Sequence, residues 1–97
     1  MSSPATQAVL MYATSWCPYC EQARQLLRGK QVQFEEIDIE GAPGRREQMI
    51  ARSGRSSVPQ IFIGETHVGG CDDLHDLEAS GQLDPLLLST KKVMHGG

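Results

Sequence analysis

The pattern Cys17-Pro18-Tyr19-Cys20 constrains this chain more than any other feature. It follows a nearly unbroken apolar run, Ala8-Val9-Leu10-Met11-Tyr12, and opens a stretch in which Cys20, Ala23, Leu26 and Leu27 recur at helical spacing. The run reads as a strand buried on both faces, because a half-exposed strand would alternate apolar and polar residues. Pro18 suits the first turn of a helix, where its missing N–H costs nothing. Two thiols at i and i+3 on one turn can cycle between dithiol and disulfide with little chain movement. A first cysteine at the helix start also faces unpaired N–H groups and the positive end of the helix dipole. Both favour the thiolate, the nucleophile of disulfide exchange. The junction therefore reads as a redox centre.

The rest of the chain predicts an α/β frame around that centre. Gly29 is expected to stop the first helix, after Arg24 and Arg28 near its C-terminal end. Val32 and Phe34 alternate with polar neighbours, and Ile37 and Ile39 follow out of phase, predicting a second strand with a bulge or an end near Glu36. Strand, helix and strand in this length form a βαβ unit. Pro43 is expected to open a second helix with Arg46, Met49 and Ile50 on one face, and Gly54 to close it. Gln60 to Ile63, Gly64-Glu65 and Thr66 to Val68 read as a hairpin with glycine at the first turn position. Gly69-Gly70 breaks the strand, and a third helix runs from about Cys71, with Asp72 and Asp73 in its first turn, Leu74 and Leu77 facing inward and Gly81 at its end. Asp84-Pro85 reads as an N-cap followed by proline at the first helical position, with Leu86, Leu87 and Leu88 docking a short last helix. Lys91 to Gly97 is expected to be a frayed tail. The expected architecture is a four-stranded mixed sheet flanked by helices, in the order β-α-β-α-β-β-α plus a short C-terminal helix. It forms one domain over 1–97, with a core of about 8–89 and flexible termini. Cys-x-x-Cys beside a βαβ pattern points to the thioredoxin fold.

Composition removes several function classes. A net charge of −3 leaves no broad basic surface for nucleic acid or an anionic membrane. No apolar run approaches a membrane span. The first residues lack the basic region and apolar core of a secretory signal, so the expected location is the cytoplasm, where a short Cys-x-x-Cys chain is catalytic or metal-binding rather than stapled. The odd count of 3 cysteines agrees, since Cys71 has no evident structural partner. A zinc site would need two more ligands, for which Cys71 and His67 are the candidates, but a strand–helix junction is not a zinc knuckle. His67, His75 and His95 read as surface residues, and Tyr12 and Phe34 as core.

Three motifs in order resemble the dithiol glutaredoxins. Cys17-Pro18-Tyr19-Cys20 matches their active-site sequence, Ser57-Val58-Pro59 resembles their Thr-Val-Pro loop, and Gly69-Gly70-Cys71-Asp72-Asp73-Leu74 resembles their glutathione loop. The likeness covers roughly Val9 to Leu88 and is similar in detail to the bacterial glutaredoxin 3 type. It implies glutathione-dependent reduction of protein–glutathione mixed disulfides and protein disulfides, with Cys17 as nucleophile and Cys20 as resolving thiol. Glutathione is then a co-substrate, with no tightly bound cofactor, no metal and a monomeric chain. Glutathionylated and disulfide-containing proteins, ribonucleotide reductase among them, are the partners the family suggests. The resemblance also implies a cis Val58–Pro59 peptide, glutathione paired to the main chain of Val58, and its γ-glutamyl carboxylate held by N–H groups of Gly70, Cys71 and Asp72. Asp72 or Asp73 would take its ammonium, Arg46 its glycine carboxylate, and Tyr19 would line the groove.

Two positions depart from the family pattern. Many glutaredoxins carry lysine three residues before the nucleophile, where this chain has Thr14. The residue before the nucleophile is commonly Thr or Ser, and here it is Trp16, a flat apolar contact for a substrate. Both are expected at the rim of the site. Cys71 reads either as a packing residue or as a second redox thiol. An iron–sulfur cluster bridged between two protomers is a rival reading that Pro18 disfavours by stiffening the loop. A cluster-delivery adaptor would need only the first thiol, and a thioredoxin-like reductase would lack the glutathione loop.

Overall fold

The apolar run lacks a polar face because it is covered on both sides. In the computed structural model, which describes residues 8–88, it forms the inner strand β1 (Val9–Ala13). β2 (Phe34–Asp38) pairs with it in parallel, β3 (Gln60–Ile63) pairs antiparallel on its other side, and β4 (Thr66–Gly69) lies antiparallel beyond β3. The mixed four-stranded sheet has the order β2-β1-β3-β4. Successive side chains of a strand point to opposite faces. Val9, Met11 and Ala13 therefore join Ile61 and Ile63 on one face, against Cys20, Ala23 and Leu27 of α1 (Pro18–Gly29), Leu74 of α3 (Cys71–Ala79) and Leu83 and Leu87 of α4 (Leu83–Leu88). Tyr12 and Phe62 point the other way, onto Ile39 and onto Met49 of α2 (Arg45–Ser53). Removing water from each such side chain stabilises the fold by about 1.5–3 kcal/mol.

Several local expectations need correction. The β1–β2 register runs without a slip from Val9 opposite Phe34 to Ala13 opposite Asp38, and the irregularity lies instead in the β3–β4 pair, where Val68 of β4 is the extra residue opposite the Ile61–Phe62 step. The change of phase near Glu36 has another cause: this edge-strand residue reaches α1 to pair with Arg24. α1 ends at Gly29 as expected, but Gly29 itself does not turn the chain: Lys30 stays right-handed, and Gln31 takes the left-handed conformation with φ 60°. Pro43 precedes α2 rather than opening it, because Gly44 at φ 88° is the N-cap. Gly54 closes α2 as expected, at φ 74° and with its N–H on the Ile50 carbonyl at 2.8 Å. Ile50 does not share the buried face of Met49 and is 38% exposed. α4 begins at Leu83, so Asp84 is not its cap and Pro85 stands third, still within the turn whose N–H groups lack intrahelical partners. Its docking residues are Leu83 and Leu87, one turn apart, with Leu86 half-buried and Leu88 exposed. Phe34 is only partly buried. Lys91 to Gly97, including His95, lie outside the described residues. Among the described residues no helix is long and apolar enough to cross a membrane.

Candidate active site

The β1–α1 junction sets the two thiols. Cys17 is the N-cap of α1, with extended backbone at φ −86° and ψ 124°, and its carbonyl accepts the Glu21 N–H at 3.1 Å. Pro18 follows at the first helical position. Neither cysteine is in a disulfide; Cys17 is 7% exposed and Cys20 is fully buried. That burial pushes the Cys20 thiol up to about 11, and the neighbouring Cys17 adds to the effect, while a backbone hydrogen bond from Thr14 and the Arg24 charge pull the other way. At neutral pH Cys20 therefore keeps its proton.

Thr14 is not a rim residue. It is 1% exposed, its Oγ1 has no hydrogen-bond partner, and it cannot take the place of a lysine that reaches a ligand carboxylate. Behind it lies a residue that the sequence marked only as a cation toward the end of the first helix. Arg24 is 7% exposed. Its Nε and Nη2 donate to the Glu36 carboxylate at 2.7 and 2.6 Å, its Nη1 to Glu21 at 2.9 Å, and its Nη2 also to the Thr14 carbonyl at 3.0 Å. Glu36 holds the guanidinium firmly protonated.

A groove of ≈ 230 Å³ runs between the first turn of α1, the Val58–Pro59 loop and the start of α3; it is lined by Tyr19, Arg55, Ser57, Val58, Pro59, Gly70, Cys71, Asp72 and Asp73, with neither Cys17 nor Cys20 in its wall. The Val58–Pro59 peptide is cis. Leu74 N–H makes the first intrahelical bond of α3, to Gly70 C=O at 3.0 Å, so the amides of 71–73 precede the helical ladder. Asp73 turns back to accept the Gly70 N–H at 2.9 Å and pairs with Arg55 at 3.2 Å. The Gly70 bond, and then Arg55, hold its carboxyl below the usual range. Asp72 in the same turn is exposed. Arg46 is not among the lining residues; it donates to the Ser56 carbonyl at 3.3 Å. The arginine in the groove is Arg55, and its only sequence signal was its place between the Gly54 helix stop and the Val58-Pro59 loop. Gly69 is bound to this geometry, because at φ 115° a Cβ would collide with the Asp73 carboxylate.

The surroundings set the rest. Trp16 is 69% exposed, and its indole N–H donates to Glu40 at 2.9 Å; Tyr19 is exposed beside it. Buried Gln60 donates to the Ser57 carbonyl at 3.1 Å and accepts from His67 Nε2 at 2.8 Å. His67 is thus no free surface residue: it stacks on Phe62 at 4.8 Å, and burial, then Arg55, lower its pKa. Cys71 is 5% exposed, and burial, with Asp72 and Cys17 nearby, raises its pKa, which keeps it a thiol. Its Sγ lies 3.3 Å from His75 Nδ1, which also contacts the Cys71 carbonyl at 2.9 Å. A larger groove of ≈ 680 Å³, between β4, α3 and α4, contains no thiol and is not a place for exchange. Among the described residues, no three His, Cys, Asp or Glu side chains gather as for a metal ion.

A βαβ-ββα sheet with a Cys-x-x-Cys at a helix start and a cis-proline loop beside it defines a thiol–disulfide oxidoreductase of the thioredoxin fold. Comparison with known proteins narrows the class. The glutaredoxin family model matches residues 9–68. A glutaredoxin of Pseudomonas aeruginosa is 57% identical over 79 residues, covering 81% of this chain and 94% of that one. Glutaredoxin 3 of Escherichia coli is 56% identical over 79 residues, covering 81% and 95%. The solution structure of glutaredoxin from Brucella melitensis superposes with a TM-score of 0.77 at 48% identity, covering 94% of this chain and all of that one. The chain belongs to the glutaredoxin family.

Proposed function

We propose that this chain reduces protein–glutathione mixed disulfides and protein disulfides at the expense of glutathione, with Cys17 as nucleophile and Cys20 as resolving thiol. The observation that carries the reading is the asymmetry of the thiols: Cys17 caps the helix whose Tyr19 lines the groove, while Cys20 is fully buried and held protonated. Cys17 thiolate attacks the glutathionyl sulfur of a mixed disulfide, forming the Cys17–glutathione disulfide and releasing the substrate thiolate. A second glutathione then attacks that adduct, leaving oxidised glutathione and regenerated Cys17; alternatively Cys20 attacks it from within. Glutaredoxin couples near −200 to −230 mV lie close to the glutathione poise, so glutathione can recharge the site.

Glutathione would pair with the Val58 main chain as an added strand, beside Pro59. Its γ-glutamyl carboxylate would meet the amides at the start of α3, near Gly70, Cys71 and Asp72. Asp72 is the freer carboxylate for its ammonium, since Asp73 is engaged with Gly70 and Arg55. Arg55 is placed for the glycine carboxylate, with Arg46 one step outside. We further take the whole chain as one monomeric cytoplasmic domain, with glutathionylated or disulfide-bonded proteins, ribonucleotide reductase among them, as partners.

The test is turnover of a small glutathione mixed disulfide, coupled to glutathione reductase and NADPH, beside reduction of a protein disulfide. Cys17→Ser is expected to abolish both activities. Cys20→Ser is expected to keep the first and lose the second. Equal loss of both in Cys20→Ser would overturn the division of roles.

A further inference from the structure

A buried arginine on the inner side of α1 needs a reason. Desolvating an ion pair costs several kcal/mol per charge, and an apolar residue at such a position is often at least as stabilising. Arg24 stands one helical turn after Cys20, so the two share a helix face. Its fork spans three partners: Glu36 of β2, Glu21 of its own helix and the Thr14 carbonyl. Arg24 and Cys20 are both buried on that face, at 7% and 0% exposure, and the Thr14 carbonyl that Arg24 holds belongs to a residue whose hydroxyl has no partner.

We propose that Arg24 is a positioning residue for the intramolecular step: held on the Thr14 carbonyl and Glu36 one helical turn from Cys20, its buried charge supports the Cys20 sulfur as that thiol attacks the Cys17–glutathione disulfide. The inference rests on the assignment of Cys20 as resolving thiol. In this step Cys20 loses its proton to solvent, the new Cys17–Cys20 bond forms, and glutathione leaves as thiolate. The mixed disulfide is itself the oxidant. The thiolate appears only transiently, so a cation held ready for it acts on this step and not on the first attack by Cys17. The ionisable groups around Cys20 are Cys17 from the loop, Arg24 from α1 with Glu21 and Glu36 behind it, and Cys71 from α3 in the same buried cluster. Removing the guanidinium leaves two carboxylates there with no cation, which opposes the thiolate.

The experiment is rapid acid quench and mass spectrometry of the full-length reduced protein mixed with a glutathionylated peptide, across pH. It follows formation of the Cys17–glutathione adduct and its decay to the internal disulfide. In Arg24→Gln, adduct formation is expected at the wild-type rate, while decay slows about tenfold and its pH profile moves about one unit to the alkaline side. Arg24→Lys restores the charge without the fork and is expected to fall between the two. Glu36→Gln removes an anion and is expected to move the decay profile to the acid side, a sign reversal that loss of packing would not produce. Wild-type decay in folded Arg24→Gln, or equal slowing of both phases, would overturn the proposal. If Arg24→Gln does not fold, an unchanged or alkaline-shifted Glu36→Gln profile overturns it instead. Cys20→Ser, run in parallel, separates the two ideas: an adduct that decays without Cys20 would refute the resolving role itself.

Discussion

At the scale of single residues, charge placement decides what the groove can hold. Arg55 and Asp73 form a pair that is roughly half exposed on both sides, so it adds at most about 1 kcal/mol to stability. Under the proposed function its value lies in recognition, since Arg55 offers an accessible fork in the groove that Val58 also lines. Arg55→Met is expected to raise KM for a glutathione mixed disulfide about tenfold with little change in kcat, an effect that shrinks in high salt. Arg46→Met should change KM less, and steady-state kinetics of the two variants side by side decide between them. The cysteine pair and both loops were legible in the sequence, because their chemistry depends on local spacing. Arg55 was not, because nothing local separates a groove arginine from the three others nearby on α2. Thr14 failed for the complementary reason: its burial comes from Arg24 and β2, which only the folded chain brings behind it.

At the scale of elements, apolar pattern was a good guide and punctuation an uneven one: Gly54 and Gly81 turn the chain after α2 and α3 as expected, whereas Pro43 and Asp84-Pro85 do not open their helices. The strands and α1 were recognisable because β1, covered on both faces, must be apolar throughout, and because Cys20, Ala23 and Leu27 make one buried stripe. Helix ends were less legible, since a glycine in sequence marks only where a left-handed residue is permitted. At the end of α1 the chain bypasses Gly29 and places Gln31 at φ 60°, with the Gln31 N–H on Arg28 C=O at 2.9 Å. A side chain in that region carries a backbone cost that glycine avoids. Gln31→Gly is therefore expected to stabilise the protein by about 0.5–1 kcal/mol. That corresponds to a rise of about 2–8 °C in Tm, read by calorimetry. A fall in Tm would show that the turn relies on the glutamine side chain.

On the scale of the whole molecule, the second core carries a pH dependence. Tyr12 and Phe62 meet edge to face at 6.1 Å, Arg52 lies 4.5 Å over Phe62, and His67 stacks on its ring. Burial, then Arg55, lower the His67 pKa in the fold, so between its folded and unfolded values the unfolded chain binds more protons. This contribution is complete above the unfolded value of about 6.5 and is lost as pH falls through the lowered folded value. Denaturant unfolding is expected to show stability declining from pH 7 to 5, with a shallower slope in His67→Gln. An identical slope in that variant would assign the decline to other groups. Asp73 acts in the same direction further into acid: its stabilising bond to Gly70 is present above the ordinary carboxylate range and lost as pH falls through its lowered folded pKa.

The chain has 1 tryptophan, Trp16, which directly precedes Cys17 and is tethered to Glu40. Its indole is a single fluorophore with no second tryptophan to mask it. Sulfur–sulfur bonds quench such emission at close range, so a change of brightness on forming a Cys17–Cys20 disulfide is the label-free readout that this one ring is expected to provide.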